Sequence, residues 1–188
     1  MSKICPLFSG STGNSTYIEG ATGAVLTDAG ASCKALTAAI QSAGGGIEKI
    51  AAVVITHEHI DHIKGLKPLL NAAKDAVLIS SAQTLETLAA AGKIPPHTKT
   101  AAIESETLEA GGIAISRFAT SHDAVAPCGY CFFMPDGRKI SVCTDLGIMT
   151  DTVRSAIAGS DAVLLESNYD IDMLKKGPYP AELKMRIM

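Results

Sequence analysis

Residues 51–56, Ala-Ala-Val-Val-Ile-Thr, run without a break into His57-Glu58-His59-Ile60-Asp61-His62. The first half is a continuous run of small and β-branched side chains, the composition of a strand buried on both faces. The second half puts three imidazoles and two carboxylates within six residues. Imidazole nitrogen and carboxylate oxygen are the donors that zinc and similar divalent ions take. With five histidines in 188 residues, a chance His-x-His-x-Asp-His is expected in roughly two chains per ten thousand of this composition. Chance is therefore a poor account. In a loop leaving a strand, alternate residues point to one side. His57 and His59 are then expected to share one ion while Asp61 and His62 reach a neighbouring one. Glu58 reads as a solvated residue or one that supports the ligands.

Other potential ligands also stand just past strand ends. Asp28 follows the apolar run 24–27, His122 follows 113–119, and Asp145 follows 139–144. Taken singly, each has a plainer reading: Asp28 as an Asx-turn residue, His122 as a turn histidine, Asp145 as a helix N-cap. Beside the histidine cluster they form a constellation, because strand ends on one rim of a sheet converge in space. His97, within Pro95-Pro96-His97-Thr98, has no such context and reads as a surface loop residue.

The rest of the chain mixes short strands with helices. Strands are expected at 3–8, 16–19 and 24–27, the first two separated by the small-residue loop Ser9-Gly10-Ser11-Thr12-Gly13-Asn14. Ser32 reads as the cap of a helix over 33–43, ended by three glycines at 44–46. A helix over 63–73, a strand at 77–80 and a helix over 82–91 come next, the last stopped by Gly92 and Pro95-Pro96. Beyond a polar connector come a strand at 113–119 and a hairpin, 130–134 and 139–144, around Pro135-Asp136-Gly137-Arg138. A helix at 150–157, a strand at 162–166 and a partly helical tail from residue 170 complete the pattern. A two-sheet core with helices outside fits this order better than a doubly wound sheet.

Composition bounds the function. Apolar residues make up 47% and charged residues 19%, a globular profile. Aromatics are 4% with no Trp, so aliphatic side chains must fill the core. A net charge of −3 argues against broad electrostatic capture of nucleic acid. The five cysteines are scattered and odd in number, which fits free thiols in a reducing compartment. Cys128-x-x-Cys131 has metal-like spacing but no second pair, so no structural zinc is expected there. The N-terminus lacks a signal-peptide pattern and no apolar stretch reaches the ~18 residues of a membrane span. A soluble cytoplasmic protein with no membrane partner is expected.

The series Asp28, His57-x-His59-x-Asp61-His62, His122 and Asp145, in this order, resembles the motif series of the metallo-β-lactamase superfamily over nearly the whole chain. The resemblance implies an α+β fold, an αββα four-layer sandwich with a two-metal site on the rim between its sheets. It implies that His57, His59 and His122 hold one ion, that Asp61 and His62 hold the other, and that Asp145 bridges them. Asp28 would orient the histidine loop from behind. Asp61, His122 and Asp145 form the implied catalytic set, Asp61 also orienting the nucleophile. The donor types permit zinc, manganese or iron.

A narrower resemblance rests on Phe8-Ser9-Gly10-Ser11-Thr12-Gly13-Asn14-Ser15, Glu166-Ser167-Asn168-Tyr169-Asp170 and Gly177-Pro178-Tyr179-Pro180. These are similar to a branch of bacterial DNA exonuclease-like proteins linked to the regulation of cell-wall metabolism. That branch implies Ser11 and Asn14 near the substrate, nucleic acid as the substrate, and attack on a DNA phosphodiester by a metal-bound hydroxide. The chain departs from the branch at Tyr169, where many relatives carry histidine. The Gly-His-Leu-Ser-Asn motif expected soon after Arg186-Ile187 does not occur, and no histidine follows His122. Residues 1–188 are thus expected to form a single domain lacking its last strand and helices. A weakened second metal site and an exposed apolar edge suited to homo-oligomer formation would result. Two other functions stay open: hydrolysis of a thioester, lactam or other carboxyl-type substrate, and an inactive metal-binding module.

Overall fold

A computed structural model describes residues 2–166, 171–182 and 184. The expected features at Ser167-Asn168-Tyr169-Asp170 and Arg186-Ile187 lie outside the described residues. The first sheet starts with Lys3–Phe8 (β1), Ser15–Glu19 (β2) and Ala24–Thr27 (β3), which pair antiparallel. Ile50–Val54 (β4), Val77–Ser80 (β5) and Thr100–Ala102 (β6) then continue it in parallel. Pro6 sits in β1 at the sheet edge, where its missing N–H breaks no interior ladder. The second sheet runs antiparallel through Leu108–Ala110 (β7), Ile113–Ala119 (β8), Cys128–Phe133 (β9) and Lys139–Cys143 (β10). Ala162–Leu165 (β11) closes it in parallel with β10.

Alternation along the strands then builds three apolar layers. Ile18, Val25, Ala52, Val54 and Ile79 from the first sheet meet Ile113, Ile115, Tyr130, Phe132 and Val142 from the second. The opposite residues of the first sheet, Tyr17, Leu26, Val53 and Leu78, pack under Cys33–Ser42 (α1), Leu66–Ala72 (α3) and Ala82–Ala90 (α4). Ser32 and Ser81 cap α1 and α4, accepting from Ala35 N and Thr84 N. On the far side, Asp151–Ile157 (α5) buries Val153 against Phe118, Cys131, Cys143 and Leu146. Helix, sheet, sheet, helix is an αββα sandwich. The α+β expectation holds.

Two local expectations need correcting. The helix expected over 63–73 is two pieces, Ile60–Ile63 (α2) and α3, so Asp61 and His62 lie in a helical turn and not in an extended loop. Gly65 makes the break: its N–H donates to Ala29 O at 2.8 Å, and a Cβ there would collide with Ala31 O. The polar connector before residue 113 also contains β6 and β7, three-residue strands at the sheet edges. Cys128 and Cys131 enter opposite apolar layers of the second sheet, so they cannot share an ion. Among the described residues no helix is long and apolar enough to cross a membrane.

Candidate metal centre

β3 and β4 deliver the chain to the same rim, and the turn after β3 fixes the histidine segment in place. Asp28 has φ +59°, a left-handed conformation that Asp tolerates better than most residues. Its N–H donates to Val54 O at 2.8 Å, which locks the turn against β4. The carboxylate is buried and fully engaged. Oδ1 accepts from Thr56 N at 2.9 Å. Oδ2 accepts from Thr56 Oγ1 at 2.9 Å and from His62 Nδ1–H at 2.8 Å. One side chain thus holds both ends of the 56–62 segment.

His57 is 1% exposed, and its ring centroid lies 4.0 Å from His62, 4.6 Å from His59 and 4.8 Å from His122. Its Nδ1 lies 3.1 Å from Thr56 Oγ1, while Nε2 is enclosed and has no hydrogen-bond partner among the described residues. Burial presses the His57 pKa down from 6.5 to about 2, helped by the neighbouring His62 cation and opposed by Asp145. A neutral imidazole with a bare, enclosed lone pair is a metal-ligand donor in the form a metal needs. Donor atoms of His57, His59 and His122 come within 4.8 Å of one another, and so do those of His57, His62 and Asp145. The two groups share His57.

Asp145 follows β10 in a second left-handed turn, φ +51°. Its Oδ2 stands 2.8 Å from His62 Nε2, and Leu146 N donates to the Glu166 carboxylate, which holds the turn. Burial opposes charge on His62, but Asp28 and Asp145 on either side outweigh it and raise the pKa to about 10. Asp145 is lowered in return: burial would raise it, and the His62 bond and charge override burial. In the metal-free chain a proton on His62 thus occupies the place between two carboxylates. An entering cation would displace it.

Asp61 belongs to neither three-donor group. Its Oδ2 lies 3.7 Å from His62 Nε2 and accepts from Asn14 Nδ2 at 3.3 Å. Asn14 is itself clamped on Gly10, accepting from its N–H at 3.1 Å and donating to its carbonyl at 3.2 Å. A cleft of about 540 Å³ opens beside them, lined by Ser9, Ser11, Asn14, Asp61, Asp145 and Glu166 among others. Ser11 is exposed at its rim. His97 lies apart, its Nε2 3.4 Å from Leu70 O. Sequence reasoning missed Thr56 and Glu166. Thr56 had a faint signal, a polar residue ending an apolar run; Glu166 stood in a motif of the narrower resemblance but with no role of its own.

A family model described as β-lactamase superfamily domain matches residues 24–185. The chain is 36% identical over 183 residues to exodeoxyribonuclease YycJ of Bacillus anthracis, covering 97% of this chain and 69% of that one. It is 35% identical to exodeoxyribonuclease WalJ of Streptococcus pneumoniae over 99% of this chain and 70% of that one. Among solved structures it is similar to the metallo-β-lactamase fold protein YhfI from Bacillus subtilis, with a TM-score of 0.73 and 19% identity. That match covers 89% of this chain and 71% of YhfI. The fold and the histidine–aspartate cluster together suggest divalent metal binding. The chain belongs to the β-lactamase superfamily, alongside the YycJ and WalJ exodeoxyribonucleases.

Proposed function

We propose that this chain is a single-domain, metal-dependent phosphodiesterase that acts on DNA with two divalent ions in the cleft. The observation that carries this is His57, neutral, enclosed, and common to both donor groups. Its relatives' names supply the substrate class. His57, His59 and His122 would hold one ion, His62 and Asp61 the other, and Asp145 would bridge them. The mixed donor set admits zinc, manganese or iron. Bound there, the ions supply Lewis acidity, which brings the pKa of water toward ~7 and offsets charge building on a phosphate.

The side chains divide the remaining work. Asp28 keeps the His62 Nδ1 proton, so that Nε2, turned toward Asp145 and Asn14, would serve as the donor atom. Asn14 steadies Asp61, whose carboxylate would orient the attacking water, and His122 and Asp145 complete the catalytic set. Ser11 and Asn14 line the route along which a DNA strand would enter. A net charge of −3 argues against broad electrostatic steering, so DNA would be captured locally at this cleft.

End-labelled linear DNA, incubated with protein replete in zinc, manganese or iron, tests the proposal. Metal-dependent release of label, abolished by His57→Ala, is expected. Hydrolysis of an acyl-glutathione or β-lactam reporter without any action on DNA would favour the carboxyl-type alternative. One observation supports a further reading as an inactive metal-binding module: in the second group His62 is the only imidazole not shared with the first. One ion per chain and no hydrolysis of either substrate class would establish that reading.

A further inference from the structure

His122 is the ligand that crosses between sheets. It sits in the connection from β8 to β9, yet its Nε2 comes within 3.3 Å of His59 Nδ1 on the first-sheet side. Ala126 packs the end of this connection into the core and Ser121 lies against Gly147, but Val125 at its tip is 53% exposed. Hydrogen bonds hold the tip. Thr120 N donates to Pro127 O at 3.1 Å and Ala124 N to His122 O at 3.0 Å, which shapes the loop internally. Arg117, paired with Glu104 at 3.1 Å, donates to Ala126 O at 3.4 Å from the loop's own sheet. From the histidine segment Glu58 reaches across: its Oε1 accepts from Val125 N at 2.9 Å. Its Oε2 is enclosed with no partner among the described residues, so that half of the carboxylate is withdrawn from solvent.

We propose that Glu58 is a positioning residue that presents His122 to the cluster. It lies between His57 and His59, so its bond to Val125 ties the tip of the third ligand's loop to the backbone carrying the first two, while Cys128 N, donating to Thr56 O at 3.2 Å, ties the loop's end. The inference rests on the metal-centre reading above, and it assigns Glu58 no contact with metal or substrate. Only an acceptor oxygen is needed, so a neutral amide of the same length should serve.

Zinc affinity, measured by competition with a chromophoric chelator, tests this on the full chain with His122→Ala as the reference. Glu58→Ala should weaken zinc binding about ten- to a hundred-fold, the usual effect of losing a supporting contact behind a ligand. Glu58→Gln should restore it to within a few-fold of the parent. Parental affinity in Glu58→Ala, or an equal loss in Glu58→Gln, would overturn the proposal. The Val125 amide gives an answer even should Glu58→Ala not fold. In the metal-free parent it should exchange more slowly than a free peptide amide, and free-peptide exchange would overturn the proposal. A parent chain that binds no zinc defeats the metal-centre reading itself, whereas parental binding with an indifferent Glu58→Ala defeats only the role of Glu58.

Discussion

Asp28 is the residue on which the site's geometry turns. It meets three donors from Thr56 and His62 in a left-handed conformation, and all of these groups are buried. Asp28→Asn keeps the shape but turns an amide N–H₂ toward one of those donors. A loss of about 1–3 kcal/mol in unfolding free energy is expected, read by denaturant titration. Metal affinity should fall about ten- to a hundred-fold as His62 loses its orientation. The same cluster sets a pH dependence. His62 is raised from 6.5 to about 10 in the fold, so its contribution to metal-free stability is complete below pH 6.5 and fades as pH climbs toward 10. Asp145 is shifted the other way, so its contribution is present above its ordinary 3.8 and is lost on acidification below that. Unfolding free energies of metal-free protein across pH 6.5 to 10 should therefore decline. Over the same range metal affinity should rise, because uptake displaces a proton.

At the scale of elements, the site depends on close backbone approach between segments distant in sequence. Gly30 lies against Asp61 O and Asn14 N, and a Cβ there would overlap both. Gly30→Ala is expected to cost about 1–3 kcal/mol through overpacking, measured by thermal unfolding. It should also lower metal content, because the α2 turn carrying Asp61 and His62 must move. The strands leading to the site were legible as short runs rich in apolar residues with a polar residue at or just past the end, and β3, β4, β8 and β10 all read that way. The split between α2 and α3 was not legible, because Gly65 breaks the helix through a partner near residue 30 that no local pattern reveals. β6 and β7 escaped notice because three residues at a sheet edge carry almost no periodicity. Glu58 and Glu166 act on backbone N–H groups of remote loops, a role that a side chain's chemical type does not disclose. The contiguous spacing of the histidine cluster, in contrast, is a local signal, and it stood out.

The whole molecule is two sheets closed on a shared apolar layer, with helices on both outer faces and the donor groups on one rim. β11 ends the second sheet, with Val163 and Leu165 exposed, and among the described residues nothing pairs with its outer edge. An unpaired edge with apolar side chains is a template for a second strand. Self-association is expected, seen as a sedimentation coefficient that rises with protein concentration. Val163→Lys should suppress it while leaving the fold intact. Such association would be a property of the edge and independent of the metal centre. The central claim lies at the rim and is tested most directly by anomalous diffraction from crystals grown with zinc or manganese. A peak is expected within about 2.3 Å of His57 Nε2, also ligated by His59 and His122. A clean map in which His57 Nε2 has no ion beside it, with metal absent or bound elsewhere, would contradict the claim.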